Sequence, residues 1–229
     1  MALCVLGQEP FFRDRREAGM RLAEALVDYA GSNPLVLGVP RGGVVVAAEV
    51  ASGLGADLDV VLARKLGAPS NPELAVGALG ETGEPVLNPR VVEAFRLSEE
   101  DIRRSAREVA AEIERRARLY RGARGSNDPR GRTVIIVDDG TATGATARAA
   151  VETMRGSGPR EIVVAMPVGP PEVFEDLAEI ADEVVALAAP AYFSAVGVFY
   201  SRFDQTTDEE VIEILARFAA RGRPGSSAA

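Results

Sequence analysis

The chain has 229 residues, enough to bury a sizeable core, and lies within the range of a single α/β domain with embellishments. Its formal net charge of -8 argues against a nucleic-acid surface, which needs a clustered positive field to meet phosphates. The absence of histidine excludes Ser-His-Asp and Cys-His catalysis, histidine-ligated zinc and any imidazole acid or base, so chemistry must rest on carboxylates, arginines, the single lysine, hydroxyls, backbone amides or a bound ion.

The lone cysteine, Cys4, cannot form an intrachain disulfide and reads as a small buried hydrophobe suited to a reducing cytoplasm. The N-terminus lacks a basic segment followed by a long apolar run, and no apolar stretch approaches the ~20 residues needed to span a bilayer. A soluble, non-exported, cytoplasmic protein with no membrane partner is expected.

In chain order, Arg15 to Ala30 reads as an amphipathic helix, with Ala18, Leu22, Ala25 and Tyr29 on one face and Asp14 placed to cap it against Glu17. Leu35 to Val39 is a short apolar strand, followed by the turn Pro40-Arg41-Gly42-Gly43 and a small-residue helix to about Leu54. Asp59 to Ala63 reads as a second buried strand. Arg64 to Glu73, with Gly67, Pro69, Ser70, Asn71 and Pro72, reads as a loop. Leu74 to Leu79 and Pro85 to Leu87 suit short strands around a Thr82-Gly83 turn.

Ser98 with Asp101 forms a capping box for a long helix whose apolar face is Ile102, Ala106, Val109, Ile113, Ala117 and Tyr120. Its i,i+4 pairs, Glu100 with Arg104, Glu112 with Arg116 and Glu114 with Arg118, predict a solvated structural face and not a binding surface. After a polar turn from Gly122 to Gly131, Thr133 to Val137 is a strand, and a helix follows to about Arg155. Glu161 to Met166 and Glu183 to Leu187 are further strands on either side of a helix from Pro171 to Ile180. Thr207 with Glu210 caps a last helix carrying Val211, Leu215 and Phe218, and the tail from Gly222 is expected to be mobile.

Strands alternating with helices imply right-handed crossovers and a mostly parallel twisted sheet covered on both faces. Ligands of such sheets sit beyond the carboxyl ends of the strands at the switch point, which directs attention to the loops after Val39 and Val137.

The sharpest motif runs from Val134 to Thr146: a buried strand, the carboxylates Asp138 and Asp139, then Gly140-Thr141-Ala142-Thr143-Gly144-Ala145-Thr146 opening a helix. Amides at a helix N-terminus form a concavity for a phosphate, small residues let it approach, and threonine hydroxyls add donors. Adjacent carboxylates at a strand end point to different sides, so a ligand with two neighbouring hydroxyls can be held from both. Neither a Gly-x4-Gly-Lys-Ser/Thr nor a Gly-x-Gly-x-x-Gly loop occurs.

This string resembles the 5-phosphoribosyl-1-pyrophosphate (PRPP) signature of type I phosphoribosyltransferases, over roughly residues 35 to 190. The resemblance implies that Asp138 and Asp139 hold the ribose 2′- and 3′-hydroxyls and meet Mg2+ indirectly, mainly through PRPP oxygens, while residues 140 to 146 wrap the 5-phosphate. Pro40, Arg41, Gly42 and Gly43 resemble the family's pyrophosphate loop. Arg64 and Lys65 fall where it has a mobile catalytic loop, so Arg41 and Lys65 join the two aspartates as expected catalytic residues.

By the same resemblance, residues 1–221 form one phosphoribosyltransferase-like domain, with a core of about 35–190, an acceptor-selecting hood from 1–34 and 191–218, and a tail at 222–229. The hood concentrates Tyr192, Phe193, Phe199, Tyr200 and Phe203, a cluster read mainly as core with room for one ring to stack on a flat base. The implied activity is transfer of 5-phosphoribosyl from PRPP to a nitrogenous acceptor in nucleotide metabolism, with Mg2+; a homodimer stays open. Pro-Arg-Gly-Gly, Arg-Lys-Leu-Gly-Ala-Pro and the run from Gln205 to Glu210 resemble a subgroup whose acceptor does not follow from its motifs. Ala142 stands where purine-salvage members carry an Asp, which leaves no acid or base there. A PRPP- or nucleotide-binding regulatory protein on the same fold is the alternative.

Overall fold

The structure, a computed structural model, describes residues 11–68, 71–122 and 125–221, with the side chains of 71–75 and 221 left aside. Cys4, the Pro69-Ser70 pair of the expected loop and the tail from Gly222 lie outside the described residues.

The elements run α1 (Arg15–Ala25), β1 (Leu35–Gly38), α2 (Gly42–Leu54), β2 (Asp57–Val60), β3 (Arg64–Ala68), β4 (Asn71–Leu79), β5 (Pro85–Leu87), α3 (Pro89–Ala94) and α4 (Glu99–Arg121), then β6 (Thr133–Val137), α5 (Ala145–Arg155), β7 (Glu161–Val168), α6 (Pro171–Ala178), β8 (Glu183–Ala188) and α7 (Asp208–Arg221). Five strands form a parallel sheet in the order β2-β1-β6-β7-β8.

Side-chain alternation divides the core into two layers. On β6, Ile135 and Val137 join Leu22 of α1, Val46 and Val50 of α2 and Ile214 of α7. Val134 and Ile136 face the other way, against Ala147 and Val151 of α5 and Phe174 and Leu177 of α6. Both faces are covered, which is why the central strands read as continuous apolar runs.

From β1 the chain moves to β2 on one side, then returns to β6 and proceeds through β7 to β8 on the other. The switch point therefore lies between β1 and β6, where Gly38 pairs with Val137.

Several sequence expectations change. The first helix ends at Ala25 and continues only as a 3-10 turn at Val27–Tyr29. The second strand is Asp57–Val60, two residues earlier than expected at its start. Of the segment expected as a loop from Arg64 to Glu73, Arg64–Ala68 forms β3 and residues 71–73 begin β4; β3 and β4 pair antiparallel, and β5 completes a separate three-stranded sheet. Glycine and proline content concealed a strand whose backbone bonds are supplied by its neighbour.

On α4, the Ser98–Asp101 capping box forms, and Glu112–Arg116 and Glu114–Arg118 pair as expected. Arg104 instead pairs with Asp101, while Glu100 lies near Arg103 and Arg107. The first described residues and the segment before α7 join each other: Phe12 N–H donates to the Phe199 carbonyl, and Ser201 N–H returns a bond to the Phe12 carbonyl. Among the described residues, no helix is long and apolar enough to cross a membrane.

Candidate functional site

Two loops leave the neighbouring strands β1 and β6 side by side, and Val39 N–H prolongs the strand pairing by donating to the Val137 carbonyl at 2.8 Å. The first carries Pro40 to Gly43, with a cis Pro40-Arg41 peptide. A Cβ at Gly42 would overlap Asp139 Oδ2, and one at Gly43 would lie 2.8 Å from both Asp138 Cα and Asp138 Oδ1. Glycine at these two positions allows the loop to rest directly on the acidic pair.

The two carboxylates occupy different surroundings. Asp139 Oδ2 accepts from Arg15 Nε at 2.7 Å, with the two side chains only 15% and 12% exposed. Arg15 Nη1 also donates to the Asp204 carbonyl at 2.6 Å, and the guanidinium lies 3.8 Å from the centre of the Phe203 ring. The Tyr200 hydroxyl donates to the Asp139 carbonyl at 2.6 Å. Asp138 Oδ1 accepts the Asp139 N–H at 2.8 Å. Burial, and next the charge of Asp139, raise the Asp138 carboxyl well above the usual carboxylate range.

Beyond the acids, Thr141 N–H donates to the Val168 carbonyl at 3.0 Å, and Gly144 N–H donates to Thr141 Oγ1 at 2.8 Å. Gly144, with φ of 69°, precedes α5 and offers no side-chain cap; Ala145 N–H donates to Thr143 Oγ1 at 3.5 Å, and a helix start is otherwise a natural place for backbone donors to meet an anion. Ala142, Thr143, Ala145 and Thr146 are exposed there.

A cleft of about 330 Å³ opens between this helix start and the antiparallel sheet, lined in part by Pro40, Arg64, Lys65, Arg116, Ala145 and Thr146. Lys65, Ala145 and Arg148 also border an adjoining cavity of about 270 Å³. The fold thus brings Pro40, Arg64 and Lys65 to the edge of the 140–146 loop. Asp138 and Asp139 do not line the cleft; they lie against Gly42 and Gly43.

Arg116 and Arg15 escaped the sequence reading. Arg116 belongs to a charge run read as purely structural, yet it lines the cleft while its Nε donates to Glu112 Oε1 at 2.7 Å. Arg64 Nη1 lies 3.7 Å from the same Glu112 oxygen, and hydrogen bonds from Arg115 and Arg116 hold the Glu112 carboxyl down at about 2. The missed signal was spacing: Arg116 stands three residues after Ile113 and four before Tyr120, at the margin of the buried stripe. Arg15 gives no local signal, because its partner is 124 residues away.

Of the aromatic group, Phe199 and Tyr200 are buried, and Phe193 stacks on Phe199 at 5.3 Å between ring centres. Phe203 lies beneath Arg15, whereas Tyr192 is 95% exposed.

A family model described as "Phosphoribosyl transferase domain" matches residues 13–193. Two Mycobacterium tuberculosis proteins, each named "Putative phosphoribosyl transferase", are 48% identical over 206 residues, covering 90% of this chain and 46% of their own length. The chain therefore spans about half the length of these curated relatives. The crystal structure of TT1426 from Thermus thermophilus superposes with a TM-score of 0.85 at 50% identity, covering 90% of this chain and 98% of that one. With the acid-bearing loop and the glycine loop meeting at the switch point of a doubly covered parallel sheet, these likenesses establish that the chain belongs to the phosphoribosyl transferase domain family.

Proposed function

We propose that this chain transfers the 5-phosphoribosyl group of PRPP to a nitrogenous acceptor, a nucleobase or related heterocycle, with release of pyrophosphate. One observation carries the reading: the phosphate-type loop at 140–146 adjoins a cleft walled by Arg64, Lys65 and Arg116, so an anion-binding helix start faces a cationic wall. A molecule phosphorylated at both ends matches that pattern.

In the proposed reaction, the acceptor nitrogen forms a bond to the anomeric carbon as the bond to pyrophosphate oxygen breaks, and the leaving group keeps that electron pair. Residues 140–146 hold the 5-phosphate. Asp138 and Asp139 hold the ribose hydroxyls and stabilise the cation that develops on the sugar. Arg41, Lys65 and Arg64, with Arg116 added from the structure, offset the charge that grows on pyrophosphate. The paired strands β3 and β4 take the closing role expected of a mobile loop here, excluding water that competes as nucleophile.

Among the described residues, no group of three or more side chains is arranged to ligate a metal, and Asp139 is already paired with Arg15. This donor set fits Mg2+ carried on PRPP oxygens with the two aspartates in indirect contact, since magnesium commonly binds through substrate phosphates and few carboxylates. When bound, the ion would neutralise charge on the pyrophosphate.

The hood from 1–34 and 191–218 is assigned acceptor selection, with exposed Tyr192 the ring available for stacking. A binding-only regulatory role is favoured by one observation: the hood sequence offers no evident acid or base, whereas Ala142 bears only on the hypoxanthine-guanine type of acceptor. Pyrophosphate release from PRPP and Mg2+ across a panel of nucleobases separates the readings. Release with one acceptor supports transfer, PRPP binding without release supports regulation, and no PRPP binding defeats both.

A further inference from the structure

Arg15 is the first residue of α1, in a segment read from sequence as an amphipathic helix of the hood with no part in sugar recognition. Its backbone is fixed locally, because Asp14 accepts the Glu17 N–H at 3.0 Å and pairs with Arg202 at 2.6 Å. Its guanidinium is fixed three times over, by Asp139 Oδ2 at one edge, by the Asp204 carbonyl at Nη1 and by the face of Phe203. A planar fork held in this way has one orientation, unlike the compact ammonium of a lysine.

A carboxylate without such a partner rotates broadly about its terminal torsion. Tethered at Oδ2, the oxygen that also rests against Gly42, and with its own carbonyl held by Tyr200, Asp139 keeps its other oxygen in a set direction. The pair is mostly buried, so its charge-assisted bond is poorly replaced by water. We propose that Arg15 is a positioning residue that orients Asp139 for the ribose hydroxyls and couples the hood, through Phe203 and Asp204, to sugar recognition; this rests on the reading of Asp138 and Asp139 as ribose ligands. Anchoring α1 does not by itself account for the contact, because Ala18, Leu22 and Leu26 already bury that region's apolar side.

The test measures binding of ribose 5-phosphate, 2-deoxyribose 5-phosphate and inorganic phosphate by calorimetry. The proteins compared are wild type, Arg15→Ala, Arg15→Lys, Asp139→Asn and the double variant Arg15→Ala with Asp139→Asn. Wild type should prefer the sugar with the 2-hydroxyl. Arg15→Ala should reduce that preference about tenfold or remove it, as expected for losing a charge-assisted bond, while inorganic phosphate binds unchanged. Arg15→Lys should recover part of the preference, and in the Asp139→Asn background Arg15→Ala should add nothing.

Intact hydroxyl preference in folded Arg15→Ala, or an equal loss with and without the Asp139 carboxylate, overturns the inference. If Arg15→Ala does not fold, Arg15→Gln takes its place, and wild-type preference in that variant is likewise contrary. A wild type that binds ribose 5-phosphate no better than inorganic phosphate would instead defeat the underlying ribose reading.

Discussion

Replacing Arg121 with Ala tests how the antiparallel sheet is fastened to the parallel one. Arg121 Nε donates to Asp59 Oδ1 at 2.7 Å, Nη2 donates to the Val60 carbonyl at 2.8 Å, and Nη1 pairs with Glu81 beyond β4. The Arg121 and Asp59 side chains are 5% and 1% exposed. Burial opposes the arginine charge, but the hydrogen bond to Glu81 and the field of Asp59 outweigh it and raise the pKa of Arg121 above its ordinary value.

After truncation, Asp59 keeps the Val60 and Asn127 N–H groups, at 2.8 and 2.9 Å, but loses its cation. Removing one partner of a buried pair costs about 3–5 kcal/mol. The half-exposed Glu81 contact adds no more than about 1 kcal/mol, and less in salt. For a chain of this size each kcal/mol moves Tm by about 2–4 °C, so Arg121→Ala should melt roughly 6–24 °C lower. Calorimetric melting supplies the total, and hydrogen exchange should show faster exchange concentrated in residues 79–87. A loss below about 2 °C, or loosening spread evenly over the chain, would refute the clamp.

Lys65→Ala should lower turnover about 10²-fold while weakening PRPP binding far less, because charge on the leaving group grows toward the transition state; Lys65→Arg should restore only part, and steady-state kinetics decide it. Arg116→Ala should weaken binding of inorganic pyrophosphate with little change in melting, since its pair with Glu112 lies near solvent; calorimetry that finds unchanged affinity removes it from the cleft's function. The raised Asp138 carboxyl means that the folded state holds this proton more tightly than the unfolded chain, so stability falls as pH rises through the folded value; Asp138→Asn should therefore raise Tm at neutral pH while abolishing ribose-phosphate binding, and a lower Tm contradicts this. Asp14 is depressed to about 2, first by the Glu17 N–H and then, against some burial, by Arg202 and Arg13. Its stabilisation is present above the unfolded aspartate value of about 3.9 and lost as pH falls through about 2, so Asp14→Ala should cost about 1 kcal/mol at neutral pH and nothing in strong acid, as read from melts across that range.

The parallel sheet and the loop after it were legible because their signals are local. Thr133–Val137 is apolar except at Thr133 and wholly buried, as a central strand between two helical layers must be. The Ser98–Asp101 box and the Asp14 cap were readable for the same reason: each partner lies three residues from the other. The acidic pair followed by small residues likewise marked a phosphate-type loop within one short stretch.

Contacts between distant segments left no such trace. Arg64–Ala68 mixes two exposed cations with glycine, and only pairing with β4 makes it a strand. The long helix advertised its charges as a solvated face, and the position of Arg116 at a cleft depended on how that helix packs against β3. Residue types and periodicity determined the parallel strands, their order of appearance and the acidic loop. Tertiary packing alone decided that Arg15 meets Asp139 and that Arg121 reaches Asp59, because side chains 124 and 62 residues apart share no period and become neighbours only when the sheet and its flanking helices close.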